Sequence, residues 1–186
     1  KLRFSAKKTM AVAQQLYEGL DIGPGEPEGL ITYMRTDSTR ISKEAATEAM
    51  DLIKSTYGPE YALEKPRHFK NKKKAQAAHE AIRPTSVHHS PEKIKPHLTK
   101  DQMALYTLIW KRFVASQMQP ALINQNSITI KAGNYLFSAS GSTIKFPGFM
   151  VLYKSVEEES LQADEKKKGL LPVLTEGMEL NLTQLE

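Results

Sequence analysis

Residues 99–142 read TKDQMALYTLIWKRFVASQMQPALINQNSITIKAGNYLFSASGS, and their hydrophobic period changes once, at Pro120. Before it, Thr99-Lys100-Asp101-Gln102 has the form of a capping box, with Leu98 and Met103 placed for a hydrophobic staple. Tyr106, Ile109, Trp110 and Phe113 then recur at helical spacing as far as Met118. Pro120 cannot continue that helix. Beyond it Ile128 and Ile130, then Tyr135, Phe137 and Ala139, alternate with polar neighbours, the two-residue period of a strand. Gly133-Asn134 and Gly141-Ser142 stand where hairpin turns belong. Past a charged loop at 157–169, Met178, Leu180 and Leu182 supply one more alternating strand. The expectation is an α+β chain: an α-rich helical domain over residues 1–119, then an antiparallel β meander over 120–186 belonging to a larger β-rich domain.

Towards the N-terminus, Ser5 caps a helix carried by Met10, Ala13, Leu16, Tyr17 and Leu20, with Gly19 near its end. The Pro- and Gly-rich segment 21–29 is a loop. Leu30-Ile31-Thr32-Tyr33-Met34 is short, apolar and β-leaning, so a strand or extended segment carries Tyr33. A second helix is predicted from about Ser42 to Tyr57, burying Ala46, Ala49, Met50 and Ile53 and stopped by Gly58-Pro59. Between Pro66 and Lys74, Arg67, Lys70, Lys72, Lys73 and Lys74 form a basic loop with little apolar content.

The net charge of +5 is divided unevenly. Residues 1–119 hold 20 Lys and Arg against 13 Asp and Glu, and residues 120–186 hold 6 against 8. The first part therefore faces a polyanion if either does. Without cysteine, disulfides, Cys-ligated zinc and thiolate nucleophiles are excluded. No apolar run is long enough to span a bilayer, and the chain opens on Lys1 without an initiator methionine. It reads as an excised fragment of cytoplasmic origin.

Two segments concentrate chemistry. In Gly29 to Thr39 a nucleophile, a cation, a carboxylate and hydroxyls follow an apolar run; if extended, Tyr33 and Arg35 share a face and can meet one phosphate. Asp37 and Ser38 follow directly. The plainer reading is a packed tyrosine and a surface arginine. In Ala78 to Thr85, His79 and Arg83 would lie on one side of a helical turn, with Glu80 beside them. The plainer reading there is a satisfied histidine and a solvated carboxylate. His68, His88, His89 and His97 lack metal-ligand spacing, and no metal site is assigned.

Taken together, GLITYMRTDST (29–39) and AHEAIRPT (78–85) resemble the type IA DNA topoisomerases, their bacterial branch in particular. FSAKKTM (4–10) and LIWKRFVASQM (108–118) extend the resemblance over nearly the whole chain. It implies that Tyr33 attacks single-stranded DNA to give a 5′-phosphotyrosine and that Arg35 stabilises the phosphate. By the same resemblance His79 contacts phosphate, and Asp37, Ser38, Glu80 and Arg83 order the loops, Arg83 with a reach to DNA. Lys72, Lys73 and Lys74 are expected on the DNA backbone. The family enzyme is a toroid that relaxes negatively supercoiled DNA without ATP, and 120–186 would belong to its arch. Its Mg2+ is expected in an acidic domain that this chain lacks, so the fragment alone is expected to be inactive. Expected partners are DNA and the remaining domains of a monomeric polypeptide, at the nucleoid and not at a membrane. A DNA-binding module without catalysis is the main alternative; a tyrosine recombinase fits less well, because there the tyrosine closes the motif series.

Overall fold

The computed structural model describes residues 2–23, 25–69, 79–153 and 174–181. Four α-helices and two β-strands are present among them: α1 (Ala6–Glu18), α2 (Lys43–Thr56), α3 (Pro91–Ile94), α4 (Lys100–Ser116), β1 (Leu122–Ala132) and β2 (Tyr135–Phe146). Two compact units result. Lys1–Pro120 with Gly148–Tyr153 forms the helical unit, and Ala121–Pro147 lies in the second. Gly148–Tyr153, which the sequence reading assigned to the β-rich part, thus packs with the helices.

Each long helix starts on a side chain that accepts from an otherwise unpaired backbone N–H. Ser5 caps α1 through Lys8 N, and Ser42 caps α2 through Ala45 N. Thr99 caps α4 in a complete capping box, with the Gln102 side chain accepting from the Thr99 N–H at 2.9 Å. α1 buries Val12, Ala13 and Leu16, α2 buries Ala45, Ala46, Ala49, Met50 and Ile53, and α4 buries Leu105, Tyr106, Trp110, Phe113 and Val114. α1 packs on α4, joined at its rim by Lys8 with Asp101 at 2.8 Å and by Gln102 with Gln15 at 3.1 Å. Met10 and Tyr17 of α1, apolar members of the predicted helix, are 39% and 40% exposed and stay outside this core.

The aromatic rings of α4 also hold a loop. The Tyr106 hydroxyl donates to the His89 carbonyl at 2.7 Å, and Trp110 Nε1 donates to the Val87 carbonyl at 3.0 Å. Buried Gln117 takes both backbone groups of Arg67, accepting from its N–H at 2.9 Å and donating to its carbonyl at 3.2 Å. One end of the basic segment is thereby pinned. Lys70, Lys72, Lys73 and Lys74 themselves lie outside the described residues, as does the charged loop at 157–169.

The second unit departs from the expected meander. β1 and β2 form a two-stranded antiparallel hairpin turning at Gly133-Asn134, where Gly133 has φ +60°. Gly141-Ser142 is no turn: it lies inside β2, with Gly141 opposite Asn126 and Ser142 opposite Gln125. The ladder continues past the glycine because β1 offers partners as far as Leu122, where the register is irregular. Met178 and Leu180 form no strand either; they are exposed and unpaired with β1 or β2. Leu182 lies outside the described residues. Alternation alone builds no strand without ladder partners, and no strand among the described residues supplies them here. The α+β class holds.

Candidate active site

The segment 29–35 is built from its anchors outwards. Leu30 and Ile31 are completely buried, and the Leu30 N–H donates to the Leu16 carbonyl at 2.7 Å. Gly29 permits that approach, since a Cβ there would lie 2.6 Å from the Tyr17 carbonyl oxygen. Ile31 forms a single antiparallel bridge with Pro84, so the predicted strand is one bridge long. Three backbone-side bonds extend it: Thr32 N to the Arg83 carbonyl at 2.9 Å, Thr85 N to the Leu30 carbonyl at 3.1 Å, and the Thr32 hydroxyl to the Ala81 carbonyl at 2.7 Å. Thr85 closes the pairing by donating to the Gly29 carbonyl at 2.8 Å. The two sequence motifs are thus laced together.

Beyond this anchor the side chains part. Met34 turns into the core at 6% exposure, while Tyr33 is 45% exposed and Arg35 exposed beside it. Tyr33 and Arg35 line one open cleft of about 530 Å3, whose other wall is Met10, Ala11, Gln14 and Glu18 of α1. The Tyr33 ring meets the edge of Tyr17, with centroids 5.4 Å apart and planes at 63°. Such edge contacts favour one ring orientation. Tyr17, Gln14 and Glu18 were not among the sequence candidates. Gln14 and Glu18 carried no signal beyond their position on α1, and Tyr17 was read only as one of the apolar residues that carry the helix.

The supporting residues follow the same logic. Ser38 is buried and accepts from Arg40 N at 3.1 Å, while its own N–H donates to the Thr36 hydroxyl at 3.0 Å. The Arg40 carbonyl in turn accepts from Ala81 N at 2.8 Å. Asp37 is exposed at the outer side of this turn. Segment 79–85 is not a helical turn, so the i to i+4 geometry foreseen for His79 and Arg83 does not form. Backbone pairing with residues 30–32 holds it extended instead. Arg83 spends its fork at home: Nε and one terminal nitrogen reach one Glu80 oxygen at 3.1 and 2.8 Å, and the other donates to the Pro84 carbonyl at 2.9 Å. His79 is half-buried at the start of this segment. Among the described residues no three His, Asp or Glu side chains group so as to hold a metal ion. No helix of the described residues is long and apolar enough to cross a membrane.

An exposed phenol with a guanidinium on the same cleft, on a rigid backbone, is suited to a phosphodiester. The comparisons agree in kind. A family model described as DNA topoisomerase matches residues 1–186. Among solved structures, full-length topoisomerase I from Thermotoga maritima matches at TM-score 0.71 and 42% identity, over 83% of this chain and 24% of that one. The chain thus spans about a quarter of the length of that structure. Match, motifs and cleft together make this chain a member of the bacterial type IA DNA topoisomerases.

Proposed function

We propose that the protein containing this chain relaxes negatively supercoiled DNA by ATP-independent, transient cleavage of one strand, with Tyr33 as the nucleophile. The observation that carries this reading is the shared cleft of Tyr33 and Arg35, fixed from behind by the pairing of residues 30–32 with 83–85. The phenolic oxygen bonds to phosphorus, the bond from phosphorus to the 3′-oxygen breaks, and the phenol's proton is made good on the leaving oxygen. Ester is exchanged for ester, so reverse attack by the 3′-hydroxyl reseals the strand without another energy source. Arg35 holds the phosphate and offsets the charge that gathers on it. Tyr17 steadies the nucleophile's ring, and the Glu80–Arg83 pair with Ser38 keeps the two loops in place. His79, Asp37, Lys72, Lys73 and Lys74 are assigned to the DNA strand and its immediate surroundings, the lysines as point charges along the backbone.

Magnesium belongs, in this reading, to an acidic domain outside this chain. No step above runs through the ion. The 186-residue chain alone should therefore not relax supercoiled DNA, with or without magnesium. The protein is proposed to act as a monomer in the cytoplasm, on the nucleoid. The decisive experiment is Tyr33→Phe in the complete enzyme, which removes one oxygen and keeps the ring. Covalent adduct with single-stranded DNA should vanish while DNA binding persists. Adduct persisting in that variant would overturn the assignment by pointing to another nucleophile, whereas no adduct even from the parent enzyme would favour a binding module.

A further inference from the structure

The cleft beside Tyr33 has a wall that phosphate chemistry does not require. Met10, Gln14 and Glu18, with Ala11, line it from one stripe of α1, the i, i+4, i+8 spacing of a single helix face. This stripe is not part of the buried set Val12, Ala13 and Leu16. It is graded along the helix: Met10 and Ala11 are apolar, whereas Gln14 donates its amide to the Glu18 carboxylate at 2.6 Å. A carboxylate cannot donate, so the Gln14 nitrogen must be the atom facing Glu18. The Gln14 carbonyl oxygen and the second Glu18 oxygen are then left as acceptors. Two apolar side chains followed along the helix by acceptors suit a nucleobase, which offers its face to the first and edge donors to the second.

We propose that this stripe of α1 is a base-binding subsite for the nucleotide whose phosphate Tyr33 attacks, and that it favours bases with an exocyclic amino group over thymine. Thymine flanks its single edge donor with two carbonyls, which would face the acceptors of Gln14 and Glu18; adenine, cytosine and guanine each bring an amino donor. The assignment to that nucleotide follows from rigidity. α1 and Tyr33 share one compact unit, joined by the Tyr17 ring contact and the Leu30 to Leu16 hydrogen bond. A nucleotide esterified to Tyr33 therefore keeps α1 as its neighbour while the strand is open. The inference rests on Tyr33 being the nucleophile.

The test uses the complete enzyme and single-stranded oligonucleotides that differ only in that base, with covalent adduct measured in single turnover. Amino-bearing bases should exceed thymine by about fivefold, the value of one net hydrogen bond. Glu18→Gln replaces an acceptor by a group that can donate and should bring that ratio towards one, as should Gln14→Ala. The side chains lie at the surface, so a thermal melt should show both variants folded as the parent is. Equal adduct from all four bases, or a ratio unchanged in both variants, would overturn the subsite. No adduct from the parent enzyme with any oligonucleotide would instead overturn Tyr33 as nucleophile, a result distinct from the ratio.

Discussion

The helical unit and the β hairpin treat their apolar side chains in opposite ways. In the first, Leu16, Leu30, Ile53, Tyr106 and Met118 are buried to the last few per cent, and the Tyr33 cleft rests on that core. In the second, Tyr135 is 73%, Leu136 72% and Leu122 53% exposed. A lone two-stranded hairpin is at best marginally stable in water, so packing within its own strands cannot be what holds it. Its register comes from the Gly133-Asn134 turn and the ladder, both local. The buried core, and with it the support behind the segment that carries Tyr33, lies in the helical unit.

The largest effect should separate the two regions outright. Trp110→Ala removes a buried ring and its bond to Val87 and should cost about 3–5 kcal/mol in denaturant unfolding. Leu136→Ala should stay within about 0.5 kcal/mol, as an exposed change does. Equal costs would break the comparison. Next, Arg35→Ala should lower single-turnover cleavage in the complete enzyme by about a hundredfold, some 2.7 kcal/mol of transition-state stabilisation. Its melting temperature should not move, because Arg35 lies on the cleft surface and not in the core. Unchanged cleavage would make Arg35 an ordinary surface residue.

A smaller effect appears at alkaline pH. Burial, and then the nearby Glu28 charge, push the Tyr106 phenol well above its ordinary value of 10.0. The folded chain thus keeps a proton that the unfolded chain gives up. Stability from this group is full below about pH 10 and falls above it, by about 1.4 kcal/mol per pH unit until the folded phenol also ionises. Tyr106→Phe should lose about 1 kcal/mol at neutral pH, through the unpaired His89 carbonyl, and show a flatter alkaline limb. An alkaline melting profile identical to the parent's would show that Tyr106 does not govern that limb.

Much of this molecule was legible because short-range chemistry wrote it. Ser5, Ser42 and Thr99 cap their helices through groups three residues away, and Gly133 adopts the positive φ that its turn needs. The motif around Tyr33 was legible in the same way, as a run of consecutive residues. What the sequence misled on was whatever needed a partner: Gly141-Ser142 has turn composition but lies opposite β1, and Met178 and Leu180 alternate but pair with no strand among the described residues. Only the tertiary structure decided that Thr32 meets Arg83, 51 positions away, that Arg83 turns to Glu80, and that α1 supplies a wall of the cleft. The physical reason is that caps and turns close over a few residues at small entropic cost. Those distant pairings close long loops, a larger entropic cost that the burial of Leu16, Leu30, Tyr106 and Trp110 in one core offsets.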